Sequence, residues 1–199
     1  MRIRVQKVSL RLVLRSLRWL FGMGAVVMLG YCGFVLADGW LYQKREQRHL
    51  EQLIAAAPTR PKLLAPPRTG TLIGRIEIPR VGLSVVVAEG VDTLTLRRAA
   101  GHIPGTGLPD QPGNIAISGH RDTFFRPLRN IRQDDVITLT TVGGNYRYRV
   151  VSIWIVSPSD VSVLDPTADE VLTLVTCYPF YFVGAAPERF IVRAIRITG

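Results

Sequence analysis

Apolar and polar positions divide the chain into two regimes. Trp19 to Ala37 (WLFGMGAVVMLGYCGFVLA) is a run of nineteen residues without a charge. From Thr71 onward, apolar residues come instead in short runs of strand length, separated by Pro and Gly breaks. The first pattern predicts a transmembrane helix. At 1.5 Å per residue the run is roughly 28 Å long, close to the ~30 Å hydrocarbon core of a bilayer, and a helix satisfies its own backbone amides there, as lipid demands. Between the two regimes, Trp40 to Ala57 is rich in Leu, Gln, Glu, Arg and Ala and predicts a juxtamembrane helix. Pro58, Pro61, Pro66 and Pro67 then predict a stiff, extended spacer that ends near Gly70.

In the second regime the expected strands are Leu72–Ile78, Leu83–Ala88, Asn114–Ser118, Asp135–Val142, Tyr146–Val156, Val171–Thr176 and Phe190–Ile197. Gly143-Gly144 is a strong hairpin signal between the fourth and fifth of these. Tyr146–Val156 opens with strict period-two alternation, which predicts a half-buried strand. Phe190–Ile197 does not alternate cleanly, so its faces are not assignable from the sequence. Val91–Arg98 and Thr123–Ile131 read as short helices. Seven or eight short strands in about 129 residues, with turn signals between them, predict an all-β barrel or sandwich.

Composition changes this picture in one respect. The chain has 25 basic against 15 acidic residues, a net charge of +10, which on its face suggests nucleic-acid binding. However, Arg2, Arg4, Lys7, Arg11, Arg15 and Arg18 supply much of the excess, with no acid among them. They are an orientation signal: the positive-inside rule keeps residues 1–18 in the cytoplasm, passes 19–37 through the membrane and exports 38–70 and 71–199. No basic-aromatic surface continues downstream, so no nucleic-acid partner is expected. Val35-Leu36-Ala37 ends in a small residue and offers a cut site, but nineteen apolar residues exceed the ~7–15 of a signal-peptide core, which favours an uncleaved anchor. A lipid anchor on Cys32 is disfavoured by bulky Tyr31 before it.

The candidate chemistry is sparse. With Cys32 inside the membrane span, Cys177 has no disulfide partner, and a lone thiol in an exported domain is at risk of oxidation. Cys177 is either an inert core filler or a reactive group displayed after the strand VLTLVT. A thiol attacking an acyl carbon needs an imidazole to exchange protons with it. His120, just past NIAIS, suits this better than His102 in the Gly/Pro-rich loop HIPGTG, where a turn residue bonded to backbone is the plainer reading. A developing oxyanion needs a donor, for which Arg121, Arg189 and Arg193 are candidates. No Cys-x-x-Cys or His-x-x-x-His spacing supports a metal site, no phosphate-cradling loop is present, and no cofactor is expected.

Three segments carry a family resemblance. Gly74–Pro79 (GRIEIP), Gly113–Phe125 (GNIAISGHRDTFF) and Leu172–Phe180 (LTLVTCYPF) resemble the sortases, the membrane-anchored cysteine transpeptidases of bacteria, in their class D-like group. Pro187–Ala194 (PERFIVRA) matches the family's arginine segment and places its arginine on Arg189. The resemblance covers Thr71 to Thr198. It implies an eight-stranded sortase-like β-barrel, preceded by the transmembrane helix, with Cys177, His120 and Arg189 meeting at one rim. It further implies attack of the Cys177 thiolate on an exported protein's C-terminal sorting signal of the Leu-Pro-x-Thr-Gly kind. The resulting thioacyl enzyme is resolved by an amine of a cell-wall peptide or a pilin lysine. Thr176, Asp122 and Tyr178 are expected as supporting groups around that site, at the bacterial plasma membrane.

Two other readings stay open at the level of sequence. A hydrolase with the same Cys-His-Arg site differs only in letting water resolve the thioacyl enzyme. A non-catalytic, membrane-tethered β-module would bind envelope proteins and keep Cys177 buried. The cysteine enzymes that crosslink peptidoglycan are disfavoured, because Val175-Thr176-Cys177 lacks their Ser-x-Gly-Cys arrangement.

Overall fold

The computed structural model describes residues 10–56, 67–109, 111–182 and 184–197. The basic residues Arg2, Arg4 and Lys7 and the prolines Pro58, Pro61 and Pro66 lie outside them. The chain divides into two compact units, Met1–Trp40 and Leu41–Gly199. A single helix, α1 (Leu10–Ala56), carries both the expected transmembrane run and its juxtamembrane continuation. It is long and apolar enough to cross a membrane, and its most apolar window is not buried within the protein.

The second unit begins with the last turns of α1 and continues into eight strands. These are β1 (Leu72–Ile78), β2 (Leu83–Glu89), β3 (Ala100–His102), β4 (Gly113–Ser118), β5 (Val136–Thr141), β6 (Gly144–Val156), β7 (Glu170–Tyr178) and β8 (Glu188–Arg196). They close into a barrel in the order β1-β2-β3-β4-β7-β8-β6-β5, with β5 returning to β1. Pairing is antiparallel except for β2 with β3 and β4 with β7. Closure removes the long unpaired edges that an open sheet of this size would present. The hairpin expected at Gly143-Gly144 is present: Thr141 pairs with Gly144, and Gly144 takes the φ of 145° that other residues rarely adopt.

Alternate side chains fill the interior. Ile76 and Ile78, Ile115 and Ile117, Leu172 and Leu174, and Val192 and Ala194 all point into one buried cluster with Phe125 and Leu128. Apolar burial on this scale is the main favourable term for the fold. The clean alternation of β5 and early β6 reflects an outer face open to water. By contrast, β4, β7 and β8 bury residues on both faces. Asn114, Ala116, Thr173 and Ile191 face outward yet are covered. Over Asn114 the cover is the β6–β7 connection, which carries a short 3-10 turn at Ser162–Leu164, while the β3–β4 loop bonds the backbone of Ala116. The Val163 carbonyl accepts from Asn114 Nδ2 at 2.8 Å and from Arg193 Nη2 at 2.9 Å, and Thr173 Oγ1 donates to Asn114 Oδ1 at 2.6 Å. This double burial is why β8 does not alternate and why β4 and β7 read as nearly continuous apolar runs.

Two expected helices are shorter than predicted. The first, α2 (Thr93–Arg98), starts only after Asp92, whose Oδ1 accepts from the amides of Leu94 and Thr95 at 3.0 and 3.1 Å. Thr123–Ile131 contains no α-helix, only a 3-10 turn at Arg126–Asn130 with Pro127 near its start. The strand missed in the sequence is β3. Three residues are too few to show a period, and it is held by β2 on one side and β4 on the other.

Beyond the strands, one ion pair staples two connections together. Arg80, in the β1–β2 turn, donates through Nε and Nη2 to the carboxylate of Asp135, which enters β5, and through Nη2 to the Asn130 carbonyl at 2.5 Å. The hydrogen bond from Arg80 holds the Asp135 carboxyl below its ordinary value near 3.8, and the amide of Arg132 adds to the effect. A carboxyl depressed on folding stabilises the native state above its unfolded value, and that contribution is lost as pH falls through the folded value. Asp135→Asn is expected to cost ~1–2 kcal/mol at neutral pH. Thermal unfolding from pH 7 downward should show the gap to wild type narrowing below about pH 4. A gap independent of pH would show that the charge contributes nothing.

Candidate active site

Strand register pairs two of the three proposed reactive residues and brings the end of β4, from which the third follows, alongside β7. β7 and β8 are antiparallel, and Cys177 is the direct cross-strand partner of Arg189. Opposed residues share a face and lie about 4.5–5.5 Å apart at Cβ. That face is the outer one, because Thr176 and Phe190, the next pair, point toward the core, with Phe190 packed against it. β4 runs parallel to β7 on its other side, with Ser118 opposite Val175. The pairing continues past the strand end, where the Gly119 amide donates to the Val175 carbonyl at 3.2 Å. His120 follows two residues beyond Ser118, so it leaves β4 at the end where Cys177 lies on β7. His120 is exposed, and Cys177 and Arg189 are half-buried.

Cys177 lies within β7, one residue before its end, where the sequence placed it in the loop that follows. Arg189 stands near the start of β8, as expected, and the β7–β8 connection returns it to direct pairing with Cys177. The ladder thus holds both side chains on regular backbone. Arg189 Nη1 donates to the carbonyls of Ala186 at 3.3 Å and Glu188 at 3.0 Å. Among the described residues it is the one nitrogen of that guanidinium with an acceptor.

The turn that carries His120 owes its shape to three neighbours. A Cβ on Gly119 would sit 2.8 Å from the ring of Phe125, so only glycine lets this fully buried aromatic close against the backbone. The His120 carbonyl accepts from the amides of Thr123 and Phe125 at 3.4 and 3.0 Å. Thr176, buried on the interior side of β7, donates through Oγ1 to the Gly119 carbonyl at 2.7 Å. It thereby ties the residue before His120 to the residue before Cys177.

The other candidates fall in different places. Tyr178 stacks on Phe190 at 6.1 Å between centroids and meets Phe180 edge-on at 6.0 Å, closing the barrel end beneath the site. The Asp122 side chain is 70% exposed and lies 3.6 Å from Arg121 Nε. Arg193, the third arginine considered as an oxyanion donor, is engaged with the Val163 carbonyl and lies over the Trp154 ring at 5.3 Å. His102 is 2% exposed and bonded on both sides: Nδ1 is 2.6 Å from Glu89 Oε2, and Nε2 is 2.8 Å from the Gly107 carbonyl. A carbonyl can only accept, so Nε2 carries a hydrogen. Sequence reasoning missed Asn114 and Val163, which fix the cover over the outer wall. The one available signal was a polar side chain at an outward position in an otherwise apolar strand. Among the described residues, no three His, Cys, Asp or Glu side chains converge in a way that would hold a metal ion. Cys32 and Cys177 are both free thiols.

A closed eight-stranded barrel with a thiol and a guanidinium paired across β7 and β8, and a histidine just past the end of β4, defines a class of fold that known proteins share. Residues 76–197 match the family model of the sortase domain, and the chain belongs to the sortase family, in general cysteine transpeptidases. It is 34% identical over 187 residues to sortase D of Bacillus subtilis, covering 87% of this chain and 93% of that protein. The structure of a Clostridium perfringens sortase D5 transpeptidase superposes with a TM-score of 0.70 at 28% identity, covering 79% of this chain and 99% of the other. Sortase A from Corynebacterium diphtheriae, in a lid-mutant form, gives a TM-score of 0.60 at 27% identity, with 85% and 95% coverage. The apolar N-terminal helix is consistent with a membrane anchor in sortases.

The packing at Gly119 is directly testable. Gly119→Ala forces a rigid ring to move and is expected to destabilise the barrel by ~1–3 kcal/mol. Phe125→Leu in the same chain should recover part of that loss. Equal melting temperatures for wild type and Gly119→Ala would show that the close approach is relaxed at no cost.

Proposed function

We propose that this sortase is a single-pass transpeptidase of the bacterial plasma membrane, with its N-terminus in the cytoplasm and its barrel outside. Its donor substrates are exported proteins bearing a C-terminal sorting signal of the Leu-Pro-x-Thr-Gly kind. The observation that supports this reading is the cross-strand pairing of Cys177 with Arg189 on the outer face, beside the end of β4 from which His120 follows.

The thiolate of Cys177 attacks the Thr carbonyl carbon, and the C=O electrons move onto oxygen. Arg189 supplies the planar donor fork that steadies this oxyanion. As the C–N bond breaks, His120 gives a proton to the leaving amine. The product is a thioester between Cys177 and the donor protein. An acceptor amine, from a cell-wall peptide or a pilin lysine, then attacks the thioester. His120 takes the proton from that amine, and the thiolate leaves. Anchoring enzyme and substrates in one membrane raises their effective concentration without any new contact.

Full-length protein in detergent micelles, given a Leu-Pro-x-Thr-Gly peptide with and without an added amine, tests this directly. Mass spectrometry should find the donor fragment joined to the amine, and on Cys177 when the amine is withheld. Cys177→Ala should fold as a barrel and show neither product. His120→Ala and Arg189→Ala should lose about 10²–10⁴-fold in turnover, and Arg189→Lys should recover little. Turnover retained by Cys177→Ala would refute the nucleophile assignment. Release of the free acid in preference to the amide at saturating amine would make the protein a hydrolase.

A further inference from the structure

The residue that follows His120 is a buried and heavily engaged cation. Arg121 is 6% exposed. Its Nη1 donates to the Pro179 carbonyl at 3.0 Å, and its Nη2 donates to the carbonyls of Phe182 at 2.7 Å and Gly184 at 3.1 Å. The Phe182 ring lies 6.0 Å from its Cζ, and Asp122 approaches Nε at 3.6 Å. A buried guanidinium is tolerated only where its donors are met, and here three of the acceptors come from one stretch of chain. That stretch is the β7–β8 connection, which leaves β7 after Cys177-Tyr178 and enters β8 at Glu188-Arg189. A second contact joins the same two segments, since Arg129 Nη1 donates to the Tyr181 hydroxyl at 2.8 Å.

Those bonds do more than restrain a loop. Gly184, held by Arg121, stands two residues before Ala186, whose carbonyl accepts from Arg189 Nη1. Hydrogen bonds and a two-residue step of chain thus connect Arg121 to the guanidinium of the residue paired with Cys177. This connection begins one residue from the imidazole and ends at the arginine.

We propose that Arg121 is a positioning residue: it fixes the β7–β8 loop to the His120 turn and through it sets the orientation of the Arg189 guanidinium in the reaction. This rests on the reading of Cys177, His120 and Arg189 given above. Arg121 touches no substrate and acts through Arg189. Its removal therefore lowers turnover with little change in substrate affinity, because a donor held loosely is lost mainly in the transition state.

The experiment uses the full-length protein in micelles and the peptide-plus-amine assay. Arg121→Met should lower kcat about 10- to 100-fold and leave KM within about 2-fold. Amide hydrogen exchange over 181–186 should rise at least about 10-fold while exchange in the β4, β7 and β8 ladders stays as in wild type. In an Arg189→Ala background, Arg121→Met should cost less than about 3-fold, because the group it positions is gone. Arg121→Lys keeps the buried charge without the fork. If Arg121→Met does not fold, it takes the same test, with the same direction and about a 10-fold loss of kcat expected.

Wild-type kcat in either folded variant, unchanged exchange over 181–186, or an equal fold-loss with and without Arg189 would each overturn the proposal. Failure of the underlying reading looks different: Arg189→Ala alone would then turn over like wild type, whereas the exchange result would still report on the clamp itself.

Discussion

The parallel ladder between β4 and β7 governs the placement of everything chemical in this protein. Side chains alternate along a strand with a period of two, so a one-residue slip of β7 would turn Cys177 into the barrel and Thr176 out of it. What prevents the slip is the interior. Ile115 and Ile117 on β4 and Leu172 and Leu174 on β7 are all fully buried and share one cluster. The buried bonds from Thr173 to Asn114 and from Thr176 to the Gly119 carbonyl lock the same register in polar terms. The reactive geometry is therefore a by-product of core packing. The core side chains and reactive ones occupy opposite faces of the same strands.

The outer wall of β4, β7 and β8 divides along its length. Its lower part is sealed by the β6–β7 connection through Asn114, Arg193 and the Val163 carbonyl. Its upper part, at Cys177 and His120, is not sealed in that way, and the thiol is half-buried there while the imidazole is exposed. A peptide substrate laid along this wall meets rigid strands beneath it, and main-chain and side-chain groups on regular elements hold position better than groups on loops.

Much of this architecture was legible in the chain. Period-two alternation and turn residues were enough to place seven strands, because the barrel's β1, β5 and β6 obey simple patterning. The strands that matter most for the site obeyed it least, since burial on both faces erases alternation, and β8 could not be assigned a face for that reason. The three-residue β3 left no period to read. The residue types at the site were visible because cysteine and histidine are rare in this chain. Their grouping was visible only through the likeness of whole motifs to a family. The role of Gly119 lay in a packing contact with Phe125, and that of Arg121 in carbonyls some sixty positions away. Backbone carbonyls have no signature in a sequence, so neither could be derived from it.

Closure of the barrel is complete in pairing order but uneven in extent. β3 covers only the Val87–Glu89 end of β2, which leaves the rest of that flank without a strand neighbour. There the Val86 amide is met by the Gln43 side-chain oxygen at 2.9 Å, while the Gln43 amide nitrogen donates to the Arg98 carbonyl at 2.6 Å. Leu50, about two turns further along the same helix, is almost wholly buried. The stretch after Trp40 is thus an honorary ninth stave. A soluble version trimmed at the foot of β1 would bare a hydrogen-bonding flank of the kind that recruits a neighbouring chain, whereas one that starts ahead of Leu41 keeps its own shield.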